Sequence, residues 1–424
     1  MKLKKQLAAV FACGYLVFTT GTGFAAPIEL SLEESVALAL KNNPAVKIAE
    51  AEKFSAQGGV QAAKAGKLPK ISLNHTETRT DTGKVGDPSN NFDNKAILTL
   101  PLYTGGKAES SIEKAKLGLK NAEQGISLSK QQLKLDATTG YFGLLQARNM
   151  VQLNQESVDR LAAHLKNVQL QYEVGTVAKT DVLRSEVELA NAQQNLIKAQ
   201  NNYDLAVASL NNVIGMPLET EIVVKEELKH EKFNTSLDDS IKCALEKRPD
   251  FMVANTGIDL AKKDISIAKA GHRPTVSFSG YQGWNDKEFP GDDNSNWQLS
   301  LTASMDIFDS GATSGKVKQA EAGLDKAQEQ ARQKKDAVQL EVRSAYLNMQ
   351  EAEKRIQTSK VAVEKAEEDY KIAQVRYSAG VGTNLDVIDA QVALTQAKTN
   401  YVQALYDFNT SKAKLEKAMG APVE

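Results

Sequence analysis

Cysteine is nearly absent: in 424 residues only Cys13 and Cys243 occur. Cys13 lies in an N-terminal stretch with the marks of an export signal, so the mature chain keeps one thiol. It cannot close a disulfide within itself, in spite of an oxidising destination, and its stability is expected from packing and assembly. Long apolar runs are also missing. The run from Leu7 to Phe18 falls short of the roughly twenty residues that a membrane-crossing helix needs, and no later stretch comes near that length. A basic surplus is missing too: the formal net charge is -1, which excludes nucleic acid as a natural partner, because phosphate binding needs a positive surface. Histidine is sparse, and His75, His164, His230 and His272 form no metal-ligand spacing. There is no Gly-x-Ser-x-Gly nucleophile motif, and Cys243 has no histidine placed as a partner. The chain is therefore expected to be no enzyme and to need no cofactor or metal.

What is present begins with the signal. Lys2, Lys4 and Lys5 precede the apolar run, and Gly23-Phe24-Ala25 offers small residues at cleavage spacing, so residues 1–25 read as a signal peptide cut after Ala25. Lipidation at Cys13 fits poorly, since Phe11 is bulky beside that cut and apolar sequence continues past it. Cleavage removes three lysines and no acid, taking the net charge from -1 to -4. Export without a transmembrane helix leaves the periplasm, the medium or an outer-membrane β-barrel.

The chain is then written twice. An offset of 205 carries Pro44 onto Pro249, Gly66 onto Gly271, Gly106 onto Gly311, Tyr172 onto Tyr377, Gly175 onto Gly380 and Asp181 onto Asp386. The offset does not drift, so both copies build one length-critical shape, and a period this long is a domain-scale duplication. The copies are placed at 26–217 and 236–422, with a linker at 218–235 on the equator of the molecule.

Each copy opens on a helix start, Ser31-Leu32-Glu33-Glu34 or Ser236-Leu237-Asp238-Asp239. Pro44 and Pro249 force a break, and Gly66 and Gly271 stop the helical stretch. Period-two alternation follows: Trp297, Leu299, Leu301, Ala303, Met305 and Ile307 share one face, and Ala96, Leu98, Leu100 and Leu102 match them. With weaker preceding strands, this predicts β-hairpins over about 71–102 and 275–308, with polar loops at 83–91 and 286–296. Tyr281, Trp284, Phe289 and Trp297 cluster near the second loop, as in an aromatic belt at the headgroups. From Gly106 and Gly311 the chain turns helical for about 67 residues, on the order of 100 Å. After Gly175 and Gly380 a return helix carries a 3-4 apolar spacing, Val182, Ser185, Leu189, Ala192 and onward, the seam of an antiparallel helical hairpin. These hairpins span about 106–217 and 311–421.

The expected class is mainly α with β. Four lipid-suited strands leave two open edges, which hydrocarbon does not tolerate, so copies of the chain must close the sheet. Two copies give eight strands and a filled interior, whereas three give a 12-stranded transmembrane β-barrel with a passage, continued by a helical α-barrel.

Several ordered motifs resemble the TolC family of outer-membrane efflux proteins. They are Leu40-Lys41-Asn42-Asn43-Pro44, Leu100-Pro101-Leu102-Tyr103-Thr104-Gly105-Gly106, Tyr172-Glu173-Val174-Gly175 with Thr180-Asp181-Val182, and Tyr377-Ser378-Ala379-Gly380 with Leu385-Asp386-Val387-Ile388-Asp389. The resemblance spans nearly all of the mature chain. It implies a homotrimeric channel-tunnel in the outer membrane, extending into the periplasm and passing substrates from an inner-membrane transporter and periplasmic adaptor to the exterior.

It also implies a gate. Asp386 and Asp389 match constricting aspartates that would form two acidic rings favouring cations; acids at a helix start also serve the dipole. Tyr172, Thr180, Asp181 and Tyr377 resemble a network that holds the entrance shut. Arg184 stands one turn from Asp181 and at the first-copy match of Asp389, and is the cation expected to help hold the tip by facing that acid across neighbouring hairpins. Gly382 occupies the place of an arginine latch found in some members, so the latch is not carried over. The alternative is the periplasmic adaptor of the same pumps, which would show one helical hairpin rather than two.

Overall fold

The computed structural model describes residues 28–81, 83, 89–231 and 233–423; the signal segment with Cys13 lies outside them. Strand β1 (Ile28–Leu30) leads into α1 (Leu32–Asn42) and α2 (Pro44–Ala65). Ser31 and Glu34 close a capping box, the Glu34 amide donating to Ser31 Oγ at 3.1 Å and the Ser31 amide to Glu34 Oε2 at 2.7 Å. Asn43 before Pro44 is extended, as proline sterics require. Then come β2 (Lys70–Thr80), β3 (Ser89–Thr104), α3 (Lys107–Glu173) and α4 (Lys179–Ile214). The second copy repeats the plan after β4 (Ile222–Val224): α5 (Leu237–Lys247), α6 (Pro249–Lys269), β5 (Thr275–Asp286), β6 (Asn296–Ser304), α7 (Ala312–Ser378) and α8 (Asn384–Ala418). Both long helices have 67 residues, about 100 Å each.

The four long strands form one antiparallel sheet in the order β2-β3-β5-β6, so β3 and β5 join the two copies and β2 and β6 are its edges. Directly opposed residues share a face. Ile71 faces Leu98, Leu73 faces Ala96, Leu100 faces Phe278, and Leu299 and Leu301 continue the row on β6. This apolar face is uncovered, with Leu73 81% and Leu301 66% exposed. The other face carries Ser72, Asn74, Lys95, Ser277, Ser279, Ser300 and Thr302. Two expectations are corrected. Tyr281 lies opposite Ile97 and Gln298 on the polar face, where Lys95 Nζ sits 5.8 Å from its ring centre; only strand parity, not nearness to the loop, decides this. And β6 ends at Ser304, short of Met305 and Ile307, because Asp309 turns the chain into α7 by accepting from the amides of Gly311 and Thr313.

The main core lies at mid-height, where Tyr141, Leu144, Leu145, Leu210, Phe408 and Leu415 are fully buried. The segment read as a linker takes part in it. β4 pairs in parallel with β1, Ile28 opposite Ile222 and Leu30 opposite Val224. Arg148 ties this ribbon to α3, donating to the carbonyls of Val224 at 2.9 Å and Glu226 at 3.0 Å. The copies solve one problem differently. Asn43 Nδ2 donates to the Val213 carbonyl at 2.9 Å, whereas its counterpart Arg248 donates through Nη1 to Ala418 at 3.1 Å and is held by Asp250 and Glu341, both at 2.7 Å.

Candidate functional site at the helical tips

The two helical hairpins end in matched turns far from the sheet. Gly175 (φ 79°) and Gly380 (φ 73°) take the left-handed conformation that costs other residues roughly 1–2 kcal/mol. Their amides donate to the carbonyls of Tyr172 and Tyr377, at 2.9 and 3.0 Å. In the second turn the amides of Val381 and Gly382 both donate to the Arg376 carbonyl at 3.0 Å, and Arg376 Nη2 reaches back to the Val381 carbonyl at 3.4 Å. A Cβ at Gly382 would stand 3.0 Å from the Tyr377 nitrogen. A larger residue fits only if the turn backbone gives by a few tenths of an ångström, which gives a local reason for the glycine.

The expected acids have distinct settings. Asp386 forms a capping box with Thr383, accepting its amide at 2.9 Å while its own amide donates to Thr383 Oγ1 at 3.1 Å. These bonds, with a smaller contribution from Arg376, hold its carboxyl below the ordinary range. The dipole-and-cap role is thus realised at Asp386. Asp389, one turn on, is exposed and makes no side-chain hydrogen bond or ion pair among the described residues.

Of the network residues, Tyr172, Thr180 and Arg184 are exposed, Asp181 is half-buried and Tyr377 is buried. Within a single chain Arg184 makes no side-chain hydrogen bond or ion pair among the described residues and stays exposed.

The structure brings other residues together instead. His164 from α3, Ser185 from α4 and Asn384 at the start of α8 are 7%, 1% and 4% exposed. His164 Nε2 lies 2.6 Å from Asn384 Oδ1, Ser185 Oγ lies 3.2 Å from that oxygen, and Asn384 Nδ2 donates to the Asp181 carbonyl at 3.0 Å. The imidazole also packs edge-on to Tyr377, ring centres 5.2 Å apart. One asparagine so links both helices of the first hairpin to the second. Around it Val168, Tyr370, Ala373, Val387, Ala390 and Leu394 form a separate apolar cluster. In sequence Ser185 is only a seam residue and His164 a scattered histidine, because nothing local connects positions 220 residues apart.

What this assembly can do is hold or release a junction between hairpins. Among the described residues no cluster of side chains suits a metal ion, and no helix is long and apolar enough to cross a membrane.

Comparison with known proteins agrees with this architecture. The model of the outer membrane efflux protein family matches residues 36–216 and 240–421, one stretch in each copy. The chain is 26% identical over 399 residues to the outer membrane protein TolC of Escherichia coli K12, covering 89% of this chain and 80% of that one. It is 23% identical over 408 residues to the alkaline protease secretion protein AprF of Pseudomonas aeruginosa, covering 91% and 83%. Among solved structures, the CmeC outer membrane channel of Campylobacter jejuni shares the fold with a TM-score of 0.81 at 19% identity over 92% of this chain and 85% of that one. VceC of Vibrio cholerae does so with a TM-score of 0.80 at 19% identity over 93% and 97%. The matches run through both hairpins and leave the single-hairpin adaptor reading without support. The chain belongs to the outer membrane efflux protein family.

Proposed function

We propose that three copies of this chain form a channel-tunnel that conducts substrates across the outer membrane, with its periplasmic end gated by the helical tips. The observation that carries this reading is the sheet: one face apolar and uncovered, one polar, and two edges that stay open in a single chain. Open edges in hydrocarbon leave backbone groups unpaired, and three copies, four strands from each, close them around a water-filled interior. The apolar rows then face lipid, with Trp284, Phe289 and Trp297 toward the headgroups. The helical part needs neighbours as well. On α7, Leu340, Leu347 and Val361 stand at heptad spacing and are each more than half exposed, a seam suited to another copy.

The role is conduction, without catalysis. Substrates come from an inner-membrane transporter through a periplasmic adaptor, as in tripartite efflux and type I secretion. At the entrance the threefold-repeated Asp386 and Asp389 set a negative potential that favours cations, and Tyr172, Thr180, Asp181, Arg184 and Tyr377 border the gate. Light scattering corrected for detergent tests the assembly. A particle of three chains is expected, and a monodisperse monomer that keeps its strand signal would refute the closed barrel.

A further inference from the structure

The junction between the hairpins is polar, buried and built around one titratable side chain. His164, Ser185 and Asn384 are all more than nine-tenths buried, yet each makes a hydrogen bond to another element. Such a group is specified only by complete pairing. The Asn384 amide is oriented by its contacts: Nδ2 donates to the Asp181 carbonyl, so Oδ1 is the acceptor facing Ser185 and His164. His164 must then carry a hydrogen on Nε2. The neutral imidazole does this in one tautomer, and a second proton adds a charge without adding any bond to Asn384.

Among the described residues that charge has no counterpart. From α4 the facing acid is Asp181, which meets the junction through its carbonyl. From α7 the neighbours are Tyr370 and Tyr377, and Arg160 lies one turn back on α3, over the Tyr370 ring. From α8 the acids Asp386 and Asp389 are exposed, the first held in its own cap. The Tyr377 hydroxyl is buried and has no hydrogen-bond partner among the described residues. Burial therefore lowers the affinity of His164 for a proton, with the Asn384 contact opposing it weakly and no charged group offsetting it.

We propose that the His164–Asn384–Ser185 junction is the entrance latch of this chain, and that protonation of His164 releases it. The inference rests on the channel reading above and names the residues that do the holding where Gly382 leaves no cation. Its sign follows from linkage. The docked state disfavours the proton and the released state takes it at the ordinary histidine value, so acid below about pH 6.5 weights release. Each unit of pKa between the two states shifts the ratio about tenfold. Protonating Asp386, whose carboxyl its cap holds below the ordinary range, would act the other way, removing repulsion at the ring, and at lower pH.

The test pairs two readouts on the full chain in detergent or bilayer. His164→Gln keeps a donor toward Asn384 and removes the titration; Asn384→Leu removes the hub. Native conductance is expected to rise between about pH 7.5 and 5.5, His164→Gln to stay low and flat, and Asn384→Leu to be high at both. An unchanged pH response in His164→Gln would overturn the proposal. Hydrogen exchange of residues 160–190 and 376–392 separates this from failure of the channel reading. If no variant conducts, exchange that quickens with acid in the native chain but not in His164→Gln still upholds the latch. Exchange that keeps the same acid dependence in His164→Gln, or shows none beyond intrinsic chemistry in the native chain, overturns it.

Discussion

Replacing Arg248 by alanine tests how the second copy is held at mid-height. The side chain is 5% exposed and forms a bidentate pair with Asp250 at 2.7 and 2.9 Å, a bridge to Glu341 at 2.7 Å and a bond to the Ala418 carbonyl at 3.1 Å. Removing one partner of a buried pair costs about 3–5 kcal/mol, because the other charge is left desolvated. Here Asp250 keeps Lys334 at 2.7 Å, Glu341 keeps Lys417 at 3.2 Å, and Glu341 is 42% exposed, so we expect a loss of about 2–3 kcal/mol. The first copy supplies the control. Its matching residues are Asn43 and Ala45, and Asn43 binds the equivalent carbonyl without any ion pair. Arg248→Asn combined with Asp250→Ala should therefore cost only about 1 kcal/mol. Hydrogen exchange at residues 245–255 and 415–421 reads both, with roughly 30- to 160-fold faster exchange in the single variant. Acidity adds a sign. Burial pushes Asp250 and Glu341 up, but their cationic partners outweigh it and hold both carboxyls below the ordinary range. Their contribution is present above about pH 4 and fades as pH falls toward the depressed values, so native and variant should converge in acid. A single variant within about twofold of native, or a double variant as labile as the single, would refute the reasoning.

Other expectations follow from the tips and the core. Asp389→Asn should lower cation selectivity in planar bilayers at low salt with the tip intact, the effect fading as salt screens it; unchanged selectivity would place Asp389 away from the constriction. Asp386→Asn should do the same and in addition weaken the start of α8 by about 0.5–1 kcal/mol, since it also removes a cap acid, visible as faster amide exchange at 384–388. Gly382→Arg, which family likeness alone would present as restoring a latch, should instead loosen the second tip turn, because a Cβ there meets the Arg376 and Tyr377 backbone; a tighter, less conductive entrance would contradict this. Phe408→Ala should cost about 3–5 kcal/mol, being fully buried in the mid-height core, as read by chemical denaturation.

The elements with a strong local signal were legible from sequence. Proline breaks at Pro44 and Pro249, the capping serines, the glycine turns at Gly175 and Gly380 and the 3-4 seams of α4 and α8 each follow from chemistry within a few residues, and duplication states every one twice. What was hidden depends on tertiary placement. β1 and β4 have three residues each, too few for a period to show. Nearness to a loop does not place Tyr281, whose face is set by parity along β5. Arg184, expected to face an acid across neighbouring hairpins, is exposed and makes no ion pair among the described residues of one chain. The His164–Asn384 contact was illegible because a buried polar pair is recognised by its surroundings, and those come from four different helices.

Planar-bilayer recording of the purified protein shows whether this chain makes a conducting, gated passage. Discrete, cation-selective current steps are expected, growing larger when the tip junction is removed by Asn384→Leu. Protein verified as inserted in the bilayer that carries no current, with or without that substitution, would contradict it.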